Sequence, residues 1–200
     1  MTLSQWADLA TIIGALAVAA ASVQVFFGYK QFKADHERSR REKTVELLTQ
    51  FFSKQEKKDP IARRIIESLN VEQCRDILAQ QQVTISTKSK VLVDQLFDDI
   101  KEENNSITLT ESQSVELRWL AVNYLNSLEI LLIAWQYTIV DRNIIETQFN
   151  YLFKPSEGHE ILKEFRTAAG GEDTFPAIEI FVAHIQAERR KKLIQKSAVA

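Results

Sequence analysis

The residues most able to do chemistry in this 200-residue chain are three histidines, one cysteine, a run of carboxylates and one isolated glutamate. His184 and Glu188 have the i,i+4 spacing that lets two ligands on one helix face meet a metal, but no third ligand stands at a matching distance. His36 sits in a charged stretch and reads as solvated, and none of the three histidines, His159 included, has the upstream arginine that helical ribonucleases use. Cys74 stands alone, so neither an internal disulfide nor a multi-cysteine zinc site can form, and it reads as a small buried apolar side chain. Asp94, Asp98, Asp99, Glu102 and Glu103 read as the solvated acidic face of one helix. Phosphate-loop and nucleophile-elbow spacings are absent, and the pair Gly170-Gly171 lacks the lysine a phosphate cradle needs. Glu129 is the residue to watch. It lies inside Leu128-Glu129-Ile130-Leu131-Leu132-Ile133, and if buried it requires a partner, for which Arg118, Arg142 and Arg166 are the candidates. The expectation is a structural ion pair, with no catalytic residue, no cofactor and no metal.

The elements that would position these residues are helices. Only three prolines and five glycines interrupt the chain, which favours long helices over a strand-and-turn architecture, so the fold class expected is all-α. Charge is segregated. Leu9 to Tyr29 is a run of 21 residues without one, bounded by Asp8 and Lys30. At about 1.5 Å per residue it reaches roughly 31 Å, the thickness of a hydrocarbon core. Trp6 and Tyr29 stand at its two ends, where amphipathic rings favour the membrane interface. Ala19, Ala20 and Ala21 suggest a signal-peptide cleavage site, but no Lys or Arg precedes the run as a signal peptide requires. Residues 1–29 are therefore read as a single transmembrane anchor, with the lipid bilayer as its first partner.

Lys30, Lys33, Arg38, Arg40, Arg41 and Lys43 follow the run, against Asp35, Glu37 and Glu42. Cations on one side only predict a short N-terminus outside and residues 30–200 in the cytoplasm, with the basic cluster near anionic headgroups. Steps of four and three place Ala7, Ala10, Gly14, Ala17, Ala21, Gln24 and Gly28 on one seam. Small residues at that spacing let two backbones approach, and a buried glutamine can bridge helices, so the seam predicts a homo-oligomer. Beyond the membrane it turns polar at Gln31, Asp35, Arg38 and Glu42, where tight packing should stop.

No proline or glycine interrupts Lys30 to Phe52, so the anchor is expected to continue as one helix, with Leu47, Leu48, Phe51 and Phe52 as an edge that must dock. Residues 30–59 read as a juxtamembrane helix and linker, 60–196 as a cytoplasmic helical domain and 197–200 as a tail. Asp59-Pro60 should open one helix and Asn70 cap the next, over Val71 to Gln81. Thr87 should open a helix carrying Val91, Leu92, Leu96, Phe97 and Ile100, ended by Asn104-Asn105-Ser106. Thr110 and Gln113 form a capping box for the longest domain helix, to about Ile139. Leu117, Leu120, Ala121, Tyr124, Leu128, Leu131 and Trp135 make its apolar stripe, widened by Leu125, Ile130, Leu132 and Ile133, so it should be the central core element. Asp141 should cap a helix to about Phe153, Pro155-Ser156 start another that ends at Gly170-Gly171, and Thr174-Phe175-Pro176 begin the last.

The formal charge is −2 overall, but residues 44–187 hold −8, between basic stretches at 30–43 and 188–200. An acidic domain is a poor partner for a phosphate backbone, so no nucleic acid is expected on it. The basic stretch of Arg189, Arg190, Lys191, Lys192 and Lys196 reads as a helix end matched to its dipole, or as a second touch on the membrane.

Val122 to Phe153, VNYLNSLEILLIAWQYTIVDRNIIETQFNYLF, resembles the signature of a bacterial family catalogued as domain of unknown function four-seven-six-zero, through Asn123-Tyr124-Leu125, Glu129, Asp141 and Ile144-Ile145. The chain departs from it at Asn126-Ser127-Leu128 and where Gln136 or Tyr137 replaces a glycine. The resemblance implies an N-terminal membrane helix, a small helical domain and the bacterial inner membrane, not an activity. Proteins of this layout also resemble membrane effectors of bacterial phage defence, including the pore-forming accessory of some RNA-targeting CRISPR systems. The function expected is thus a non-enzymatic single-pass inner-membrane protein that self-associates through its anchor and binds a cytoplasmic protein partner. The alternatives are a membrane-tethered, degenerate nucleotide- or RNA-processing domain, which would need Glu129 and an arginine in a wet cleft, and a plain monomeric anchor.

Overall fold

The structure is a computed structural model and describes residues 3–98, 100–103, 105–154 and 159–197; the side chains of residues 1–13, Ala15, Glu103, Lys154, His159, Lys196 and Ser197 lie outside that description. The chain divides into two compact units, Met1–Lys43 and Thr44–Ala200. It is predominantly helical, with eight α-helices among the described residues.

Helix α1 (Leu3–Ser53) covers the first unit and supplies the opening turns of the second. It is uninterrupted because nothing between its ends removes a backbone donor or favours a turn: neither proline nor asparagine occurs, and Gly14 and Gly28 are separated by helix-forming residues. Within unit 1 every described side chain from Leu16 to Ser39 is exposed, among them Leu16, Val18, Val25, Phe27 and Phe32.

Unit 2 begins with the last turns of α1, earlier than the domain start read at residue 60. Phe51 is buried, its ring 5.9 Å from that of Tyr124 and 5.4 Å from that of Phe149, and Phe52 stacks on Phe149. Thr44 is fully buried and its hydroxyl accepts the backbone N–H of Asp141 at 2.7 Å. The docking edge expected at Leu47 to Phe52 is therefore used, mainly through Phe51.

Helices α2 (Asp59–Glu67) and α3 (Val71–Leu78) follow. Asp59 is the first residue of α2 rather than its cap, and its carboxylate instead accepts Glu56 N–H at 2.7 Å, closing the preceding turn. Asn70 and Gln73 form a full capping box at the start of α3. That helix stops earlier than Gln81, at a turn where Gln80 takes a φ of 60°.

The next stretch departs most from the helical reading. Strands β1 (Val83–Ser86), β2 (Lys101–Glu103) and β3 (Ser106–Leu109) form an antiparallel sheet in the order β1-β3-β2. Val83 pairs with Leu109 and Ile85 with Ile107, so the alternating apolar side chains share one buried face. Helix α4 (Lys90–Leu96) is a short segment between β1 and β2. It ends at Leu96, and Asn105, with φ 63°, belongs to the β2–β3 hairpin instead of a helix terminus. Of the expected apolar face Leu96 and Phe97 are buried, Leu92 and Ile100 are partly buried and Val91 is exposed, while Val93, outside that reading, is fully buried.

Helix α5 (Glu111–Gln136) opens on the Thr110–Gln113 capping box and runs through the core, packed on α2, α3 and α8. Leu117, Leu120, Ala121, Leu125, Leu128, Leu132 and Trp135 are all buried, as the apolar stripe requires. Ile130 and Ile133 are not: they face outward, 59% and 40% exposed. Helix α6 (Arg142–Phe149) is capped by Asp141, whose carboxylate accepts Asn143 and Ile144 N–H. It ends at Phe149, and a 3-10 turn leads to β4 (Phe153–Lys154), which pairs with β5 (His159–Glu160). The helix start read at Pro155-Ser156 lies outside the described residues. Helix α7 (Lys163–Ala168) is six residues long, and α8 (Pro176–Ser197) closes the unit with Ile178, Phe181 and Ile185 buried.

Candidate functional site

Glu129 is buried in the middle of α5, and none of the three candidate arginines holds it. Its two carboxylate oxygens accept the backbone N–H groups of Ala177 and Ile178 at 2.7 and 3.0 Å. These are donors in the first turn of α8, just after Pro176, which has no N–H of its own. Glu129 thus acts as an N-cap supplied from another helix, with its negative charge at the positive end of the α8 dipole. With both oxygens committed to backbone donors, the carboxylate has no place in a wet cleft of the kind the hydrolase alternative needs.

Arg166 has the complementary task. Its guanidinium is almost fully buried; Nε donates to Ile161 O at 2.9 Å, Nη2 to Glu160 O at 3.3 Å, and Nη1 pairs with the Glu179 carboxylate. The carbonyls it holds belong to a strained turn, where Ile161 and Leu162 take φ of 38° and 50°. A cleft of ≈ 290 Å³ opens beside this pair, lined by Phe153, Glu160, Lys163, Glu172 and Gln186 among others. Both of its cations are engaged, Arg166 by Glu179 and Lys163 by Glu160 at 3.1 Å. An incoming anion would have to displace a carboxylate, and among the described residues no nucleophile stands beside a base there.

A second cleft of ≈ 280 Å³ lies between α6 and α8. Glu146 accepts the Trp135 indole N–H at 3.0 Å and lies 3.1 Å from His184 Nε2, off the line of a hydrogen bond, so that contact strengthens only when the imidazole is protonated. Arg142 stacks its guanidinium 4.5 Å over the Trp135 ring and donates Nε to Trp135 O. His184 therefore faces Glu146 across α6 and α8, not Glu188 on its own helix. Among the described residues no group of three His, Cys, Asp or Glu could hold a metal ion.

Arg189 was read as part of a basic tail, but its guanidinium reaches Asn150 O at 2.9 Å, Asn150 Oδ1 at 2.7 Å and the carbonyl of Phe153. It fixes the turn between α6 and β4. The carboxylate run is also dispersed: Asp94 is on α4, Asp98 in the following loop and Glu102 on β2, paired with Lys90, while Asp99 lies outside the described residues.

Cys74 is buried on α3, and burial, aided by the charge of Glu164, pushes its thiol up to about 12. At mildly alkaline pH the thiolate, which is the nucleophile, is then a fraction on the order of 10⁻⁴. We expect a maleimide to modify Cys74 at least about a hundredfold more slowly in the folded chain than in urea. Comparable rates in both would show that α3 opens readily. Tyr124, buried beside Arg63, also has its hydroxyl pKa raised, with desolvation outweighing the guanidinium.

In unit 1 the seam residues Gly14, Ala17, Ala21, Gln24 and Gly28 are all exposed, while the side chain of Ala10 lies outside the described residues. A methyl group added at Gly14 or Gly28 would meet no atom within 4 Å. In the basic stretch, Lys30 sits 4.9 Å over the Phe26 ring, and Arg38 pairs with Glu42 at 2.9 Å. Lys33 and Arg41 are exposed, whereas Arg40 and Lys43 are partly buried.

Among the described residues the one helix long and apolar enough to cross a membrane is α5, half of whose apolar window is buried inside unit 2. Of the N-terminal run read as an anchor, residues 9–13 and Ala15 fall outside the described side chains. No family model, no curated protein and no solved structure matches the chain.

Proposed function

We propose that this is a non-enzymatic single-pass membrane protein that self-associates along the small-residue seam of α1 and uses unit 2 to bind a protein partner. The observation that carries the reading is the exposure of α1 in unit 1. Val18, Val23, Val25, Phe26, Phe27 and Tyr29 are 54–72% exposed, spread over more than half the circumference of one helix, with the small residues of the seam on the remainder. An amphipathic helix would hide such residues against a core; a helix apolar all round finds its solvent in lipid. The charge asymmetry around the run supports an outside N-terminus and a cytoplasmic unit 2. The resemblance of residues 122–153 to the bacterial family of unknown function agrees with this layout. In unit 2 the buried charges Glu129 and Arg166 are spent on holding backbone, which is what a binding scaffold requires.

The test is cross-linking in membranes. Replacing Gly14 and Ala17 together with leucine adds bulk on the seam, at two exposed positions, the first of which has no atom within 4 Å of an added methyl group. We expect oligomers cross-linked through unit 1 to fall at least about tenfold, the equivalent of 1.4 kcal/mol of association energy, while the protein stays in the membrane fraction after alkaline carbonate washing. Unchanged oligomers would remove the seam; release by carbonate would remove the anchor.

A further inference from the structure

The outward face of α5 carries an apolar stripe that the core does not use. Val115, Trp119, Ile130, Ile133 and Tyr137 are 43%, 55%, 59%, 40% and 68% exposed, with half-buried Val122 and exposed Asn126 on the same line. From Ser112 to Tyr137 no charged residue lies fully exposed on this helix: Glu116 and Arg118 are half-buried, and Glu129 is buried. A surface helix of a water-soluble unit ordinarily turns its charges outward, and an exposed line that is apolar at all but one position marks a contact.

The spacing says what kind of contact. From Val115 to Tyr137 the steps are four, three, four, four, three, four, an order that reads the same from either end, with Asn126 at the centre. The mean step of about 3.67 residues keeps the line nearly straight along the helix, over about 33 Å. We infer that two copies of this chain pair through α5, antiparallel about a two-fold axis at Asn126. In that register Val122 meets Ile130, Trp119 meets Ile133, and Val115 meets Tyr137. The two Asn126 carboxamides face each other, each able to donate and accept, so the one polar position of the stripe satisfies itself and fixes the register. From these exposures and ordinary side-chain areas each copy would cover roughly 600 Å², near the lower bound for a specific interface. A lipid surface fits less well. Helices that lie on membranes flank their apolar face with lysine and arginine, whereas this stripe has neither beside it among exposed α5 residues and residues 44–187 carry −8.

This pairing is separate from the seam of α1, and its test keeps the two apart. Two differently tagged copies of the full chain, one W119C and one I133C, are co-expressed and mildly oxidised in membranes; the buried native thiol stays silent. The mixed W119C–I133C cross-link is expected to exceed either same-residue cross-link at least fivefold. It should fall at least tenfold when exposed Asn126 is changed to Asp in both copies, which opposes two charges without touching the core. It should persist when Gly14 and Ala17 are leucine. Absence of the mixed product, dominance of same-residue products, or loss together with the seam oligomers would each overturn the pairing. So would strong quenching of a dye at I133C by nitroxide-labelled lipid, which would give the stripe to the membrane.

Discussion

Glu129→Ala is expected to lower the unfolding free energy of unit 2 by about 3 kcal/mol, a large share of the roughly 5–15 kcal/mol that holds a domain together. The substitution removes the sole acceptor that two first-turn N–H groups of α8 are seen to use, and both donors belong to residues that are essentially inaccessible to water. Ala177 and Ile178 cannot regain a water in place of the carboxylate without opening the α5–α8 contact. Glu129→Gln keeps one oxygen and presents an amide N–H where an acceptor is needed, so its loss should be about half as large. A urea titration of the full chain in detergent, followed by tryptophan fluorescence, reads both. Equal effects for alanine and glutamine would mean the charge, not the geometry, holds α8. A loss below about 1 kcal/mol for alanine would mean that the cap is replaceable and α8 stands on its packing alone.

Arg166→Met should cost unit 2 about 3–5 kcal/mol, the penalty of breaking a buried ion pair from one side. The methionine fills much of the volume but leaves Ile161 O, Glu160 O and the Glu179 carboxylate without their donor. The turn at Ile161 and Leu162 then loses its side-chain donor and keeps only its burial and backbone bonds to offset a left-handed conformation that is unfavourable for the β-branched Ile161. Arg166→Lys should recover little, because one ammonium cannot reproduce the planar fork that reaches two carbonyls and a carboxylate at once. Hydrogen exchange would locate the effect: protection should be lost first on α7, with α3 following, since those two helices pack together. If Arg166→Lys matches the wild type, the fork is not what secures the turn.

These two residues illustrate how buried charge is used here. Each closes a place where the backbone would otherwise leave donors or acceptors unsatisfied. The positions are where α8 begins and where the chain turns into α7, both irregular junctions. Chemistry-bearing side chains at such junctions are structural even in the apolar heart of a domain.

Local signals in the sequence determined a good part of this protein. The capping boxes Asn70–Gln73 and Thr110–Gln113, the Asp141 cap and the apolar stripe of α5 are all realised, because each depends on residues within one turn of one another. The sheet was not legible. Its strands are three or four residues long, and their alternation, VTIS and SITL, acquires meaning only when residues 20 to 26 positions apart come into register. The role of Glu129 was equally hidden: its burial could be argued from its neighbours, but its partners are backbone atoms 48 and 49 positions away, and no side-chain pairing rule points to a backbone N–H. Hydrophobicity likewise stated that Ile130 and Ile133 need cover without saying what supplies it. Sequence sets what each segment demands of its surroundings, and only the packed chain decides which segment meets that demand, because the satisfying contact is set by distance in space rather than distance along the backbone.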